Sequence, residues 1–420
     1  MTSTIEANDI SHDIRKKLFL LSCIALTVTA MTFSIRAGMM TTLGGEFTMT
    51  GRQLGIAAAM FGFGFPIATV FGGLIYNRVG PRTIMIIAFL GHLAGLGLWI
   101  ASGSFLAFAI STFFIGLANG SVEAACNPMI AELYPEQKTT ILNRFHVWFP
   151  GGLAIGALAA FAIQALLGSG GMQTWKIEVA IMLVPTLIYG WMVFTTRFPD
   201  VTSDNSKQTD TKANFLAMLS PLFIIMCLIM TVTAATELGT NQWVGGLLEA
   251  SGASPLIVLA LVSIIMAFGR YFAGPLVHAF NTTGVLLFSA IVSALGIFLL
   301  SISTGGMIYL AAIVFAIGIT YFWPTMIGFI AEYKSDTGAL GMSVLGGAGM
   351  VGFSIWAPVI GGWIDSETAK AEAAGVVGDA VQLAAGQATL GKILFFPIAL
   401  TLAFGLLFVL RNRLGLKAEH

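Results

Sequence analysis

The chain has 420 residues, of which 57% are hydrophobic and only 10% are charged. Soluble globular domains contain about 25% charged residues, so this composition, with a mean hydropathy of +0.89, excludes a soluble protein built on one core. The net charge of zero argues against nucleic acid as a partner, and the sequence contains no nucleotide-binding motif, metal cluster or nucleophile–base pair of an enzyme. We therefore predict an all-α integral membrane protein that is not an enzyme.

Twelve apolar segments follow one another along the chain. Each is long enough to cross a hydrocarbon core of about 30 Å. The most polar stretch, Pro199 to Lys212, separates the sixth segment from the seventh. This pattern predicts an amino-terminal six-helix half (residues 1–198), a cytoplasmic linker (199–214) and a carboxy-terminal six-helix half (215–420). The segments cover residues 18–42, 53–76, 83–102, 105–131, 142–167, 177–197, 215–247, 255–277, 284–303, 306–331, 340–364 and 390–411.

Lysine and arginine residues are distributed unevenly between the connections. If both termini are cytoplasmic, fourteen of them flank the segments on the inner side and only four on the outer side. Cytoplasmic connections of membrane proteins carry this excess of basic residues. We predict a multi-pass protein of the cytoplasmic (inner) membrane with both termini in the cytoplasm.

The two halves carry related sequences. Residues 27–32 read TVTAMT and residues 231–236 read TVTAAT, an offset of 204 residues. The fourth and tenth segments each contain a proline and, further along, an Ala-Glu pair. The glutamates of these pairs are Glu132 and Glu332. Secondary transporters use repeated halves of this kind around a site near the middle of the membrane. The repeats therefore predict pseudo-symmetric halves that enclose a central cavity.

A polar stripe interrupts the fourth segment. Asn119, Glu123 and Asn127 are four residues apart, so a helix places them on one face. A carboxylate inside a membrane span is costly and indicates a functional site. We predict that Glu123 faces the cavity and carries a proton or binds solute, the alternative being a buried pair for stability. Asn119 and Asn127 would bind a hydroxylated solute or join helices, and Asn143 and His146 open the next segment, where His146 could relay a proton.

The seventh segment repeats this design. Glu237 and Asn241 lie four residues apart, with Gln242 and Trp243 beside them. We predict that Glu237 faces the cavity from the second half, and that all four residues contact solute and Glu237 also takes part in proton coupling. Aromatic rings stack on the apolar faces of sugars, whereas most are core or membrane-belt residues. The predicted solute-stacking residues are Trp243, Tyr321 and Trp323.

Arg36 lies past the middle of the first segment. An unpaired guanidinium at this depth would be very costly, so a partner is expected. The alternatives are Glu123, Glu237 and an anionic solute, for which Arg36 would be the anchor.

The sequence GGLIYNRVGPR at residues 72–82, between the second and third segments, resembles the G-x-L-x-D-R-x-G-R signature of the major facilitator superfamily. Asn77 stands where that signature has an aspartate, so a charge lock at this position is not carried over. The resemblance covers the whole chain and implies twelve helices in two halves. We predict a gating role for Asn77, Arg78, Arg82, Glu132, Asn143, Arg270 and Glu332.

A narrower resemblance is to the fucose/glucose-type sugar symporter group. This resemblance rests on Glu123 and Asn127 in the fourth segment and on the pattern N-x-x-H-x-x-F-x-G-G from Asn143 to Gly152. In that group the acid of the fourth helix handles the proton or substrate, which implies the same for Glu123. Arg36 departs from the group, because fucose transporters carry an acid in the first helix.

These observations predict a secondary active transporter that moves a small hydroxylated solute, a sugar, by proton-coupled symport as a monomer. Two alternatives remain: an organic-anion transporter with Arg36 as the substrate anchor, and a sodium-coupled sugar symporter. Apart from H⁺ or Na⁺ as coupling ion, no cofactor is expected. A channel or receptor is disfavoured, because a passive pore does not need a titratable carboxylate in each half.

Overall fold

The structure, a computed structural model, describes residues 4–5, 10–49, 51–168, 172–200, 211–241, 255–414 and 416. In the first half the helices are α1 (His12–Glu46), α2 (Gly51–Ala101), α3 (Phe105–Leu133), α4 (Lys138–Phe145), α5 (Trp148–Leu167), α6 (Met172–Ala180) and α7 (Leu183–Thr195). A short 3₁₀ helix, Pro135–Gln137, precedes α4. The two-residue strands β1 (Thr4–Ile5) and β2 (Phe198–Pro199) pair in parallel.

The second half has the same all-helical character. Its helices are α8 (Thr211–Met218), α9 (Pro221–Ala234), α10 (Pro255–Tyr271), α11 (Ala273–Ile302), α12 (Met307–Ile319), α13 (Phe322–Tyr333), α14 (Gly338–Ala373), α15 (Asp379–Ile393) and α16 (Phe395–Leu410). A π-helical turn, Ala235–Gly239, continues α9, and a 3₁₀ helix, Ser335–Thr337, precedes α14. Residues 201–210 of the predicted linker lie outside the described residues.

The described residues contain a helix for each of the twelve predicted segments. Ten helices are long and apolar enough to cross a membrane. One of them, Ala59–Ala101, is broken at Gly80 and supplies two segments, and the shorter apolar helix Val258–Tyr271 supplies another. The predicted all-α membrane fold is confirmed, although α1 begins earlier and α14 continues further than hydropathy alone indicated.

The break in α2 folds its two arms onto the same helix, α3. Gly80 has φ 75° and ψ 162°, a left-handed conformation that glycine adopts without steric strain. The first arm runs parallel to α3, with Gly72 against Ala124, and the second runs antiparallel to it, with Gly91 against Ala118. A Cβ atom on Gly91 would come within 3.0 Å of the Ala118 Cβ atom, so the absence of a side chain allows this close packing.

The two halves pack against each other along α2 and α14 and along α5 and α10. Gly73 of α2 lies so close to Ser343 of α14 that a Cβ atom there would be 2.6 Å from the serine Cβ atom. At one end of the bundle the Arg15 guanidinium lies 5.5 Å from the centre of the Tyr134 ring, which joins the start of α1 to the end of α3. We call this end the termini side, because β1 and β2 also belong to it.

Candidate functional site

A cavity lies between the two halves. Its polar lining consists of Thr29, Glu123 and His146 from the first half and Glu237 and Arg270 from the second. The apolar lining is mainly aromatic and comprises Phe33, Phe65, Phe149, Leu238, Trp323 and Met350. Both predicted cavity acids thus reach one cavity from opposite halves.

Glu237 and Arg270 form an ion pair in this cavity. The Arg270 Nη2 atom lies 2.9 Å from Glu237 Oε1, and the exposed fractions of the two side chains are 1% for the arginine and 3% for the glutamate. Arg270 also donates from Nε to the Thr320 carbonyl (2.6 Å) and from Nη1 to the His146 carbonyl (3.1 Å). Because His146 belongs to the first half, Arg270 connects Glu237 of the second half to the first half of the protein.

The backbone around Glu237 is irregular. Residues Ala235–Gly239 form a π-helical turn, and single π turns within α-helices are frequent at functional sites. Glu237 Oε1 is occupied by Arg270, whereas its buried Oε2 atom has no hydrogen-bond partner in the described part of the chain. The second carboxylate oxygen is therefore available to a solute in the cavity.

Glu123 has different surroundings. The Asn127 side-chain amide donates to its Oε2 atom (2.5 Å), and His146 Nε2 lies 3.1 Å from Asn127 Oδ1 and 3.9 Å from Glu123 Oε2. His146 reaches this position because it lies at the break between α4 and α5. Asn127 therefore positions Glu123 and His146 and does not line the cavity.

The structure gives Asn119 a different place from the predicted solute-binding one. Its Oδ1 atom lies 2.8 Å from His92 Nε2, and its Nδ2 atom donates to Thr32 Oγ1 (2.9 Å). His92 Nδ1 lies 2.7 Å from the Tyr189 hydroxyl. Both ends of the Asn119 amide are thus used inside the first half, where they join α1, α2, α3 and α7.

Arg36 does not pair with the acids that the sequence proposed for it. Glu237 is paired with Arg270, and Glu123 is bound by Asn127. The Arg36 side chain is buried, with 9% exposed, and its guanidinium carbon lies 4.4 Å from the centre of the Phe61 ring. Its Nε atom is buried without a hydrogen-bond partner, and no described carboxylate forms an ion pair with it.

The other predicted solute contacts divide into three groups. Trp323 lines the cavity from the first turn of α13. Tyr321 packs in a small cluster with Ala273 and Val285 and is not part of the lining. Asn241 is half-buried at the end of the described helix. Gln242 and Trp243 lie outside the described residues.

On the termini side, predicted gating residues join the two halves. Glu332 accepts hydrogen bonds from the Thr139 backbone amide (3.2 Å) and from the Thr139 and Thr282 hydroxyls. Lys138 donates to the Ala331 carbonyl at 3.2 Å. The termini side of the cavity is therefore closed by contacts between α4 and α13.

Asn143 belongs to the same interface, since its amide donates to Thr325 Oγ1 (3.3 Å) across the two halves. Glu132 instead accepts from the Tyr76 hydroxyl (3.1 Å) within the first half.

The loop at residues 72–82 contacts both halves, since Gly73 packs on Ser343 of α14. Arg82 Nε donates to the Val193 carbonyl of α7 at 3.3 Å, which is a contact within the first half. Asn77 is half-buried and Arg78 is exposed. Of the predicted gating residues, Arg270 lies deepest and is the one that lines the cavity.

Apart from Trp323, neither the apolar lining nor Thr29 was predicted from the sequence. Phe33, Phe65, Phe149 and Met350 carry no polar signal that separates them from ordinary helix-packing residues. Thr29 belongs to the TVTAMT repeat, and its buried hydroxyl has no hydrogen-bond partner among the described residues. The repeat was the one available signal for it.

The sequence model of the Major Facilitator Superfamily matches residues 22–357. Among curated proteins, the cis,cis-muconate transport protein of Acinetobacter baylyi (strain ATCC 33305 / BD413 / ADP1) is 26% identical over 265 residues. That match covers 59% of this chain and 62% of the relative, so the chain spans about three fifths of the length of this protein.

Two solved structures show the same fold. The proton:xylose symporter XylE, bound to 6-bromo-6-deoxy-D-glucose, matches with a TM-score of 0.73 and 14% identity over 93% of this chain and 97% of the other. The E. coli fucose:proton symporter FucP (N162A) matches with a TM-score of 0.66 and 17% identity over 91% and 98%. With a family match over most of its length and this fold, the chain belongs to the Major Facilitator Superfamily and is a multi-pass membrane transporter, not an enzyme.

Proposed function

We propose that the protein is a proton-coupled symporter that binds a small hydroxylated solute between its two halves. The observation that carries this proposal is the buried Glu237 carboxylate at the cavity, which uses one oxygen for Arg270, while the other has no hydrogen-bond partner among the described residues. A carboxylate oxygen in this position is an acceptor for a solute hydroxyl, and such a bond to a charged group stabilises binding by about 1.5–3 kcal/mol.

The rest of the cavity fits the same class of solute. Small-molecule sites are mostly apolar with a few placed polar groups, and the lining of this cavity follows that pattern. The Trp323 indole provides a flat surface for the apolar face of a sugar ring. The free Thr29 hydroxyl provides a second hydrogen-bonding group from the opposite half.

Glu123 is the residue that we propose to carry the coupled proton. Its hydrogen bond comes from the neutral Asn127 amide, and the cation of the cavity, Arg270, is bound to Glu237. Glu123 can therefore gain or lose a proton without the rupture of an ion pair. His146, within 3.9 Å of the carboxylate, is placed to relay that proton.

Arg270 offers a route from solute binding to closure. It bonds Glu237 in its own half and the His146 carbonyl in the other half. A solute hydroxyl that donates to Glu237 draws electron density from the carboxylate and weakens its bond to Arg270, and thereby changes the strength of the bond from Arg270 to the first half. We propose that this change in the hydrogen bonds of Arg270 links solute binding to the contacts between Glu332 and Thr139 that close the termini side.

With the predicted orientation, the closed termini side is cytoplasmic, and solute and proton enter from the opposite side of an inner membrane. One chain contains both halves and the whole cavity, so we propose that it works as a monomer. A specific observation favours a second candidate, an organic-anion transporter: Arg36 is buried and has no carboxylate partner in the described part of the chain. The muconate transport protein, one of the relatives, is named for such an anion.

The test is uptake into proteoliposomes against a panel of sugars, sugar acids and organic acids, with pH and sodium gradients imposed separately. We expect accumulation of a hydroxylated solute when the lumen is made alkaline, and none with a sodium gradient alone. Accumulation driven by sodium without a pH gradient would contradict proton coupling. Accumulation of acids without hydroxyl groups, with none of the hydroxylated solutes transported, would support the organic-anion candidate.

A further inference from the structure

Arg36 is a buried cation that the proposed sugar site does not use. Its side chain is 9% exposed, its guanidinium stacks on Phe61 at 4.4 Å, and its buried Nε atom has no hydrogen-bond partner among the described residues. Guanidinium groups keep their charge in proteins. A buried, charged donor without an anion is costly, which indicates a partner that binds only at certain stages.

The position of Arg36 places it next to the cavity. Thr29 and Phe33 line the cavity from α1, and Arg36 follows Phe33 by three residues, about 4.5 Å along the helix axis and on the same side of the helix. The Phe33 and Phe61 rings are in edge-to-face contact with centres 4.6 Å apart. Arg36 therefore forms the next layer of the cavity on the side away from the termini.

Three described acids at that end of the bundle have other partners, and the remaining ones, Asp365, Glu372 and Asp379, are exposed. Glu46 accepts from Trp175 Nε1, and Glu178 accepts from the Gln164 amide. Glu367 binds Lys370 and Lys392. None of these acids pairs with Arg36, so its guanidinium can bind an anion that enters the cavity.

We propose that Arg36 binds the carboxylate of the transported solute, and that the solute is therefore a polyhydroxylated carboxylate, a sugar acid. This inference rests on the proposed function, because Glu237 and Trp323 bind the hydroxylated end. The contact with Phe61, 4.4 Å from the guanidinium carbon to the ring centre, uses none of the N–H donors as a hydrogen bond to an anion would, so they serve a two-point bond to a carboxylate. The orphaned Nε atom is one of those donors.

Binding to purified protein tests the inference with two matched pairs of probes, galacturonate with galactose and glucuronate with glucose. We expect each acid to bind wild type at least about tenfold more tightly than its neutral sugar, as a charge-assisted pair implies. Arg36→Gln should remove this preference and leave the affinity for the neutral sugar unchanged. Arg36→Lys should retain part of it. Lys176→Gln, at a cation that stacks on Trp175 outside the cavity, should keep the full preference.

Equal loss of acid and neutral-sugar binding in Arg36→Gln would overturn the inference, as would wild type that binds the neutral sugars as tightly as the acids. A second experiment tests whether Arg36 has a partner within the chain, in this case Glu249, which lies outside the described residues. If Arg36→Gln lowers the thermal unfolding midpoint and Arg36→Gln/Glu249→Gln restores it, Arg36 is half of a fixed ion pair and the inference fails.

The two proposals fail in different ways. Proton-driven uptake of a neutral sugar that Arg36→Gln does not affect would refute the carboxylate site and retain the proposed function. Selective acid binding through Arg36, with no uphill uptake in any pH gradient, would refute proton symport and retain the carboxylate site.

Discussion

The Arg270 guanidinium lies 2.9 Å from the Glu237 carboxylate, and this pair is buried between the two halves of the transporter. Arg270 holds the pair in place with two further hydrogen bonds, to the carbonyls of Thr320 and His146. One side chain thus combines charge balance for a site residue with a bond across the interface of the halves.

Arg270→Gln should destabilise the protein strongly, because it leaves Glu237 as an uncompensated buried charge. Loss of one partner of a buried pair costs about 3–5 kcal/mol, whereas replacement of both partners is often nearly neutral. The thermal unfolding midpoint in detergent should fall in Arg270→Gln and recover in Glu237→Gln/Arg270→Gln, with both variants inactive in transport. Arg411→Gln, a control near the end of the chain, should leave the midpoint unchanged. A double variant as unstable as the single one would show that Arg270 acts mainly through the two carbonyl groups.

Glu123→Gln should abolish uphill accumulation in a pH gradient while exchange of labelled solute continues. Glutamine keeps the size of the side chain and its bond to Asn127 but cannot release a proton. Uptake and exchange in proteoliposomes measure the two activities separately. Glu178→Gln replaces another buried acid, bound to Gln164 away from the cavity, and should retain both activities. Undiminished pH-driven accumulation by Glu123→Gln would exclude Glu123 as the coupling residue.

Asn119→Ala should lower stability and leave the solute affinity of the folded protein unchanged. The substitution removes the partner of His92 Nε2 and one of the two hydrogen bonds of the Thr32 hydroxyl, and an unsatisfied buried group costs about 1–3 kcal/mol. Thermal unfolding and solute titration of the same preparation distinguish the two effects. A selective loss of solute affinity at unchanged stability would restore the solute-binding role that the sequence predicted for Asn119.

Glu332→Gln should open the termini side more often, because Thr139 and Thr282 donate to different carboxylate oxygens, whereas an amide has only one acceptor oxygen. A reporter cysteine at Thr325, buried opposite Asn143, measures the opening by its rate of alkylation after Cys23, Cys126 and Cys227 have been replaced. We expect alkylation to become several times faster. Glu132→Gln, whose partner Tyr76 lies in the same half, should change the rate little. An unchanged rate in Glu332→Gln would mean that other contacts keep this side closed.

Part of the site was predictable because a carboxylate in an apolar helix has few explanations. Glu123 and Glu237 were selected for this reason, and both line the cavity. The expectation that residues four apart share one helix face was less accurate for Asn119. Each step of four residues turns a helix by about 40°, so Asn119 and Asn127 point about 80° apart and meet different neighbours.

The ion pairs were not predictable from the sequence. The positions of Arg36 and Arg270 in the sequence place them in membrane segments, but they do not give the rotation of each helix or the distance between segments. The π turn at Ala235–Gly239 also changes the direction of the side chains that follow it, and no sequence pattern indicated that turn.

The sequence by itself determined the class of protein and its twelve apolar segments, because the hydrophobic effect and the thickness of a bilayer act on each segment separately. It also marked the costly charges. Only the tertiary structure decided that Arg270 and not Arg36 pairs with Glu237, and that three phenylalanine rings belong to the cavity wall. Those relationships depend on helices that are distant in the chain and meet only when the two halves pack together.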